Sequence, residues 1–250
     1  MSIPVGDDAE IYSFGGISYR QGLASGFYRR PAQGDGRANT PAFPNGFLPN
    51  IGSDIIDKSL SVGIKGKVND WNVDFSNTYG QNAFGITVGN SSNGTLGVAT
   101  QRTFDAGNLS FSQNTTNLDF NKFNEDIFNG LNVAFGAEYK VENYIIEAGE
   151  EASFTSYDIN GNAVNSITPN DLLVTNNFTG AVLGGGAQVF RGYDPKNATN
   201  KYRNSIAAYV DLEVDFTEDW LVSVAGRFES FSDFGETFNY KIATRYKLDK

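Results

Sequence analysis

The chain has 250 residues and contains no cysteine, no histidine and a single methionine. Each absence removes a class of chemistry. Without His or Cys there is no conventional nucleophile–base pair and no zinc site of the ordinary type. Acidic residues are plentiful, yet no two are set apart as an acid and a base. The chain therefore reads as no enzyme, with no catalytic residue, no metal site and no cofactor. Absence of Cys also suits an oxidising envelope compartment. No stretch approaches the roughly 18 consecutive apolar residues of a membrane helix. The opening ten residues, from Met1 to Glu10, carry neither a basic nor an apolar segment, so no secretory leader is visible. With 19 basic against 29 acidic residues and a net charge of -10, nucleic acid is not an expected partner.

What is present is alternation. In residues 203–216 one phase reads Ile206, Ala208, Val210, Leu212, Val214, Phe216, and the other Ser205, Ala207, Tyr209, Asp211, Glu213, Asp215. That is the period-2 pattern of a strand with one apolar and one polar face. Residues 220–229 and 238–246 repeat it, joined by the polar turns 217–219 and 233–236. Upstream, the same reading gives strands beginning near Asp8, at 59–68, from Trp71, at 108–121 and from Leu131, with Asn69-Asp70 as a two-residue hairpin turn. The total is about eight antiparallel strands.

The connections alternate between long (29–54, 85–107, 152–201) and short. Transmembrane barrels share this asymmetry, and their strands need no continuous apolar run. Trp71, Phe216 and Trp220 lie beside short turns, where an aromatic girdle would sit. The fold expected is all-β: an up-and-down transmembrane β-barrel, partial and open, with long loops on one side.

Five runs carry a family resemblance: residues 10–30, 43–49, 131–144, 148–153 and 225–246. The most specific is the last, where Arg227-Phe228-Glu229 precedes Asp233-Phe234-Gly235 and a strand bearing Lys241, Arg245 and Tyr246. Together they resemble the barrel domain of TonB-dependent outer-membrane receptors, in which a plug fills a 22-stranded barrel. The resemblance implies an outer-membrane location in a Gram-negative bacterium and energy-coupled uptake of a scarce ligand of the iron-chelate, cobalamin or carbohydrate class. It also implies four partners: outer-membrane lipid, the plug of the same full-length chain, a TonB-type energy-coupling protein and a small-molecule ligand. A leader, a plug and a partner-binding box have no counterpart here, and Leu248-Asp249-Lys250 is not an aromatic strand terminus. The whole of residues 1–250 thus reads as an internal part of a receptor barrel domain.

The polar phases place Arg20, Arg227 and Glu229 toward a lumen, where Arg227 and Glu229 are expected to pair with each other or with Lys241 or Arg245. In the long loops, Tyr28, Phe190 and Tyr193 are candidate stacking surfaces for a ligand, beside Phe27, Phe43 and Phe47. These six (Arg20, Tyr28, Phe190, Tyr193, Arg227, Glu229) are the candidate ligand-binding residues. The competing readings are a solvated interior of mutually neutralising charges and loop aromatics that pack the loop onto itself. Asp158 to Asn162 resembles half a calcium loop, with its glycine at the wrong position. Two rival functions stay open: a small eight-stranded anchoring or adhesive barrel, and a secreted β-sheet binding protein with a dry core.

Overall fold

The computed structural model describes residues 1–31 and 41–248, so residues 32–40 of the first long loop and the last two residues lie outside the described part. Among the described residues nine strands form one antiparallel sheet in chain order. They are β1 (Ser2–Val5), β2 (Ala9–Ser25), β3 (Asn50–Val68), β4 (Trp71–Gly89), β5 (Phe104–Asn124), β6 (Leu131–Glu147), β7 (Thr199–Asp215), β8 (Trp220–Phe231) and β9 (Gly235–Tyr246). The strand beyond the expected eight is β1, four residues paired with Ala9 to Tyr12 of β2. It is too short, and Pro4 too disruptive, for an alternation to be read. The sheet is open, since β9 does not return to pair with β1 or β2.

Strands β2 to β7 run for 17 to 21 residues. At about 3.3 Å per residue a strand of that length reaches roughly 60 Å, about twice the hydrocarbon thickness of a bilayer. This accounts for two shifted boundaries. β3 begins at Asn50 and β4 continues to Gly89, where the sequence suggested loop. In those distal sections, neighbours such as Ile55 and Ile56 break the alternation, so no single apolar phase marks the strand there. Between them the Asn69-Asp70 turn is as expected, with φ of 47° and 67°, the left-handed pair of a type I′ hairpin.

The two faces are buried in the reverse of the usual sense. On β7, Ser205 is 2 % exposed and its neighbour Ile206 is 61 % exposed. Ser61, Thr115 and Glu229 are likewise buried on the polar face, while Val62, Val210, Leu212, Val224, Tyr240 and Ile242 stand exposed on the apolar one. The sheet curls around its polar side, here termed inner. Near the short turns the outer face carries two aromatic groups. Phe135 contacts Trp71 at 5.3 Å and Phe120 at 4.9 Å; Phe216 contacts Phe128 at 4.9 Å and Trp220 at 5.1 Å. Farther along β4 the outer face shows Tyr79, and β2 shows Tyr19. From Trp71 to Tyr79 the strand advances roughly 26 Å, the order of a 25 Å apolar band.

At the other end, loops 90–103 and 148–198 fold onto the inner face. Ile86, Val88, Phe104, Ala106 and Ala187 form a small core, against which Phe190 and Tyr193 pack. Fully buried Asn93 pins the loops together. Its Nδ2 donates to the carbonyls of Ala152 (2.9 Å) and Thr155 (2.8 Å), and its Oδ1 accepts from the Thr95 N–H and hydroxyl. Asn93→Ala strands two buried carbonyls, so it should loosen this layer by about 2 kcal/mol. Limited proteolysis should then cut within 148–198 while the strands stay intact.

Candidate functional site

The inner wall is where charge collects, and cross-strand register decides which groups meet. One row runs Glu138–Ala207–Glu229 across β6, β7 and β8, and the next runs Lys140–Ser205–Phe231. Ala207 and Ser205 are too short to separate the strands on either side. Lys140 therefore reaches over β7, placing Nζ 3.1 Å from Glu229 Oε1, and the Ser205 hydroxyl donates to the same oxygen at 2.9 Å. Arg227 Nη2 donates to Glu138 Oε1 at 2.8 Å and lies 3.4 Å from Glu229 Oε2. Two cations and two carboxylates close a neutral, largely buried network. The expected partners Lys241 and Arg245 take no part in it, because β9 lies on the other side of β8, where Thr237 is the residue opposite Glu229.

Beside this network Arg203 donates to Glu142 at 2.6 Å and lies over the rings of Phe231 (5.5 Å) and Phe234 (5.7 Å). Phe231 and Phe234 stack on each other at 4.2 Å. Nearer the short turns, two tyrosines cross a glycine to reach an aspartate. Tyr209 pairs with Gly136, and its hydroxyl donates to Asp119 on β5 at 2.7 Å. Tyr12 pairs with Gly63 and donates to Asp74 on β4 at 2.8 Å. Both glycines are required by this packing. A Cβ at Gly136 would lie 2.7 Å from the Tyr209 ring, and one at Gly63 would lie 2.5 Å from the Tyr12 ring.

The six sequence-derived candidates fall in three places. Arg227 and Glu229 belong to the β6–β8 network. Arg20 faces inward from β2, with Nη2 2.9 Å from Asp57 Oδ2; Asn82 donates to the other Asp57 oxygen at 2.7 Å. The aromatics belong to the loop layer. Phe190 and Tyr193 meet edge to face at 5.7 Å, Phe43 and Phe47 are buried 4.5 Å apart, and the Tyr28 hydroxyl donates to the Asn45 carbonyl at 2.5 Å. Asp158 closes its own turn, accepting the N–H groups of Asn160 (2.9 Å) and Asn162 (2.8 Å). Those bonds, that from Asn162 foremost, hold its carboxyl below the usual carboxylate range. Within the Gly184–Gly186 run Gly185 and Gly186 serve close packing, since a Cβ at Gly185 would lie 2.3 Å from Ser156 Cα and one at Gly186 would lie 2.7 Å from the Ser153 carbonyl oxygen.

Sequence reasoning passed over Ser205, Ala207, Gly63 and Gly136. Nothing local marks them; only their place between two larger side chains in a row gives them a role.

Among the described residues no group of three or more acidic ligands could hold a metal ion. The arrangement is a charged, hydrogen-bonded wall behind an apolar exterior, capped by packed loops. No helix among the described residues is long and apolar enough to cross a membrane, which leaves crossing by strands untouched. No curated protein matches the chain. From residue 5 to residue 250 it matches the family model described as TonB dependent receptor-like, beta-barrel, and it belongs to that family of outer-membrane receptors.

Proposed function

We propose that this chain is wall from the barrel of an energy-coupled outer-membrane receptor that takes up a scarce ligand. The observation that carries the reading is the reversed burial of the sheet, polar groups inside and exposed Val, Ile, Leu and Phe outside. Water would not tolerate so continuous an apolar face on a monomer, whereas lipid would cover it. Outer-membrane lipid is thus the first partner. The family adds a plug inside the lumen, a TonB-type coupling protein and a small-molecule ligand. Residues 1–250 fit part of a barrel domain. The β2 edge beyond its β1 pairing, and the outer edge of β9, are free to accept further strands toward the 22 of plugged transporters.

Disruption of the gene in its native host is the direct test. Growth with an iron chelate, cobalamin or an oligosaccharide as the limiting nutrient should fail for one of the three and recover on complementation. Unchanged uptake of all three would overturn the transport reading.

A further inference from the structure

Not every glycine on the inner wall is spoken for by a neighbour. Gly16, Ser59, Gly80 and Gln113 form one row across β2, β3, β4 and β5. Unlike Gly63 and Gly136, Gly16 and Gly80 have nothing within 4 Å of an added Cβ. Packing does not demand glycine at either place, although glycine in a strand interior costs about 0.5–1 kcal/mol relative to alanine. What their bare backbones leave is a recess of about 590 Å³, within the size range of small-molecule sites.

The chemistry around this floor is specific. The adjoining row is Ser18–Asp57–Asn82–Phe111. Asp57 is neutralised by Arg20, and Lys58, which also borders the recess, is paired with Ile17 in the outer phase, so the floor presents no unpaired charge to an ionic ligand. Asn82 gives its Nδ2 to Asp57 and Gln113 gives its Nε2 to Thr115 at 2.9 Å. Both amides thereby keep a carbonyl oxygen for another donor. The Ser18 and Ser59 hydroxyls lie on the same face. Phe111 puts an aromatic ring, 39 % exposed, beside the polar run Gln113, Thr115 and Asn117 of the same phase. A ring beside planar amides, hydroxyls and a neutralised carboxylate suits a molecule with a C–H face and many hydroxyl groups.

We propose that this recess on β2–β5 binds a neutral saccharide, with Phe111 against a sugar face and Asp57, Asn82 and Gln113 holding its hydroxyls. The proposal rests on reading the inner face as a transport lumen and names the ligand class for it. The test is calorimetric titration of the detergent-solubilised full chain with maltose, lactose and cellobiose, and with glucose 6-phosphate as the charged control. At least one disaccharide should bind and the phosphate should not. Gly80→Leu, which grows into open space, should leave the fold unchanged and weaken binding by at least about tenfold, as should Phe111→Ala. If no disaccharide binds a chain that still inserts into liposomes, the saccharide proposal fails and the membrane reading stands. Binding that survives Gly80→Leu also overturns it, leaving the recess to a segment of protein.

Discussion

Glu229→Ala should destabilise the barrel wall by about 3 kcal/mol. Glu229 is 8 % exposed, and its carboxylate accepts from Lys140 and Ser205 on one oxygen, with Arg227 against the other. Removing it leaves the Lys140 ammonium, itself mostly covered, with Glu138 at a long 3.9 Å and the face of the Phe231 ring at 5.5 Å. An uncompensated charge at a buried position costs more than the original pair contributed. The account therefore predicts partial rescue by Lys140→Met, which removes the orphaned cation. Glu138→Ala should cost less, because Arg227 retains Glu229 and Lys140 keeps its shorter contact. Urea unfolding in detergent, followed by the emission of Trp71 and Trp220, the only two tryptophans, measures all three variants. Equal stability of wild type and Glu229→Ala would mean that the lumen screens the network as a solvated surface.

Gly136→Val should cost a similar amount, about 3 kcal/mol, at the upper end of overpacking effects. Its Cβ alone would lie 2.5 Å from Asp119 Oδ1 and 2.8 Å from the Leu118 carbonyl oxygen. The aspartate and tyrosine can turn away only by giving up their 2.7 Å hydrogen bond; the carbonyl cannot turn at all. Gly80→Ala is the matched comparison on the same wall. It meets open space and should be neutral or stabilising by a few tenths of a kcal/mol. The same unfolding measurement reads both, and a Gly136→Val chain as stable as Gly80→Ala would contradict the tyrosine–glycine–aspartate packing.

The contrast between these glycines shows what could be read in advance. Alternation placed Val210 and Val224 on one face and Arg227 and Glu229 on the other, because side-chain phase in a strand is local information. The Asn69-Asp70 turn was equally plain, since few residues other than glycine tolerate two left-handed positions. Partners were not legible. Arg227 could have turned toward β9 or toward β7, and the choice depends on Ala207 and Ser205 leaving room over β7, which only register reveals. Nor could the loop aromatics be sorted, because Phe190 and Tyr193 depend on Val88 and Phe104, which are distant in sequence. β1 was missed for a simpler reason: four residues hold too little pattern.

The central claim is that one face of this sheet meets lipid and the other does not. The chain has no cysteine, so single cysteines can be placed along β7 without background, at Ile206, Ala208, Val210 and Leu212 and at Ser205, Ala207, Tyr209 and Asp211. Each is labelled with a small fluorophore, and the protein is reconstituted into liposomes containing lipids with spin labels on their acyl chains. The account predicts strong quenching at the first four positions and little at the second four, alternating residue by residue. Quenching that is uniform along the strand, or strongest at the second set, would contradict it.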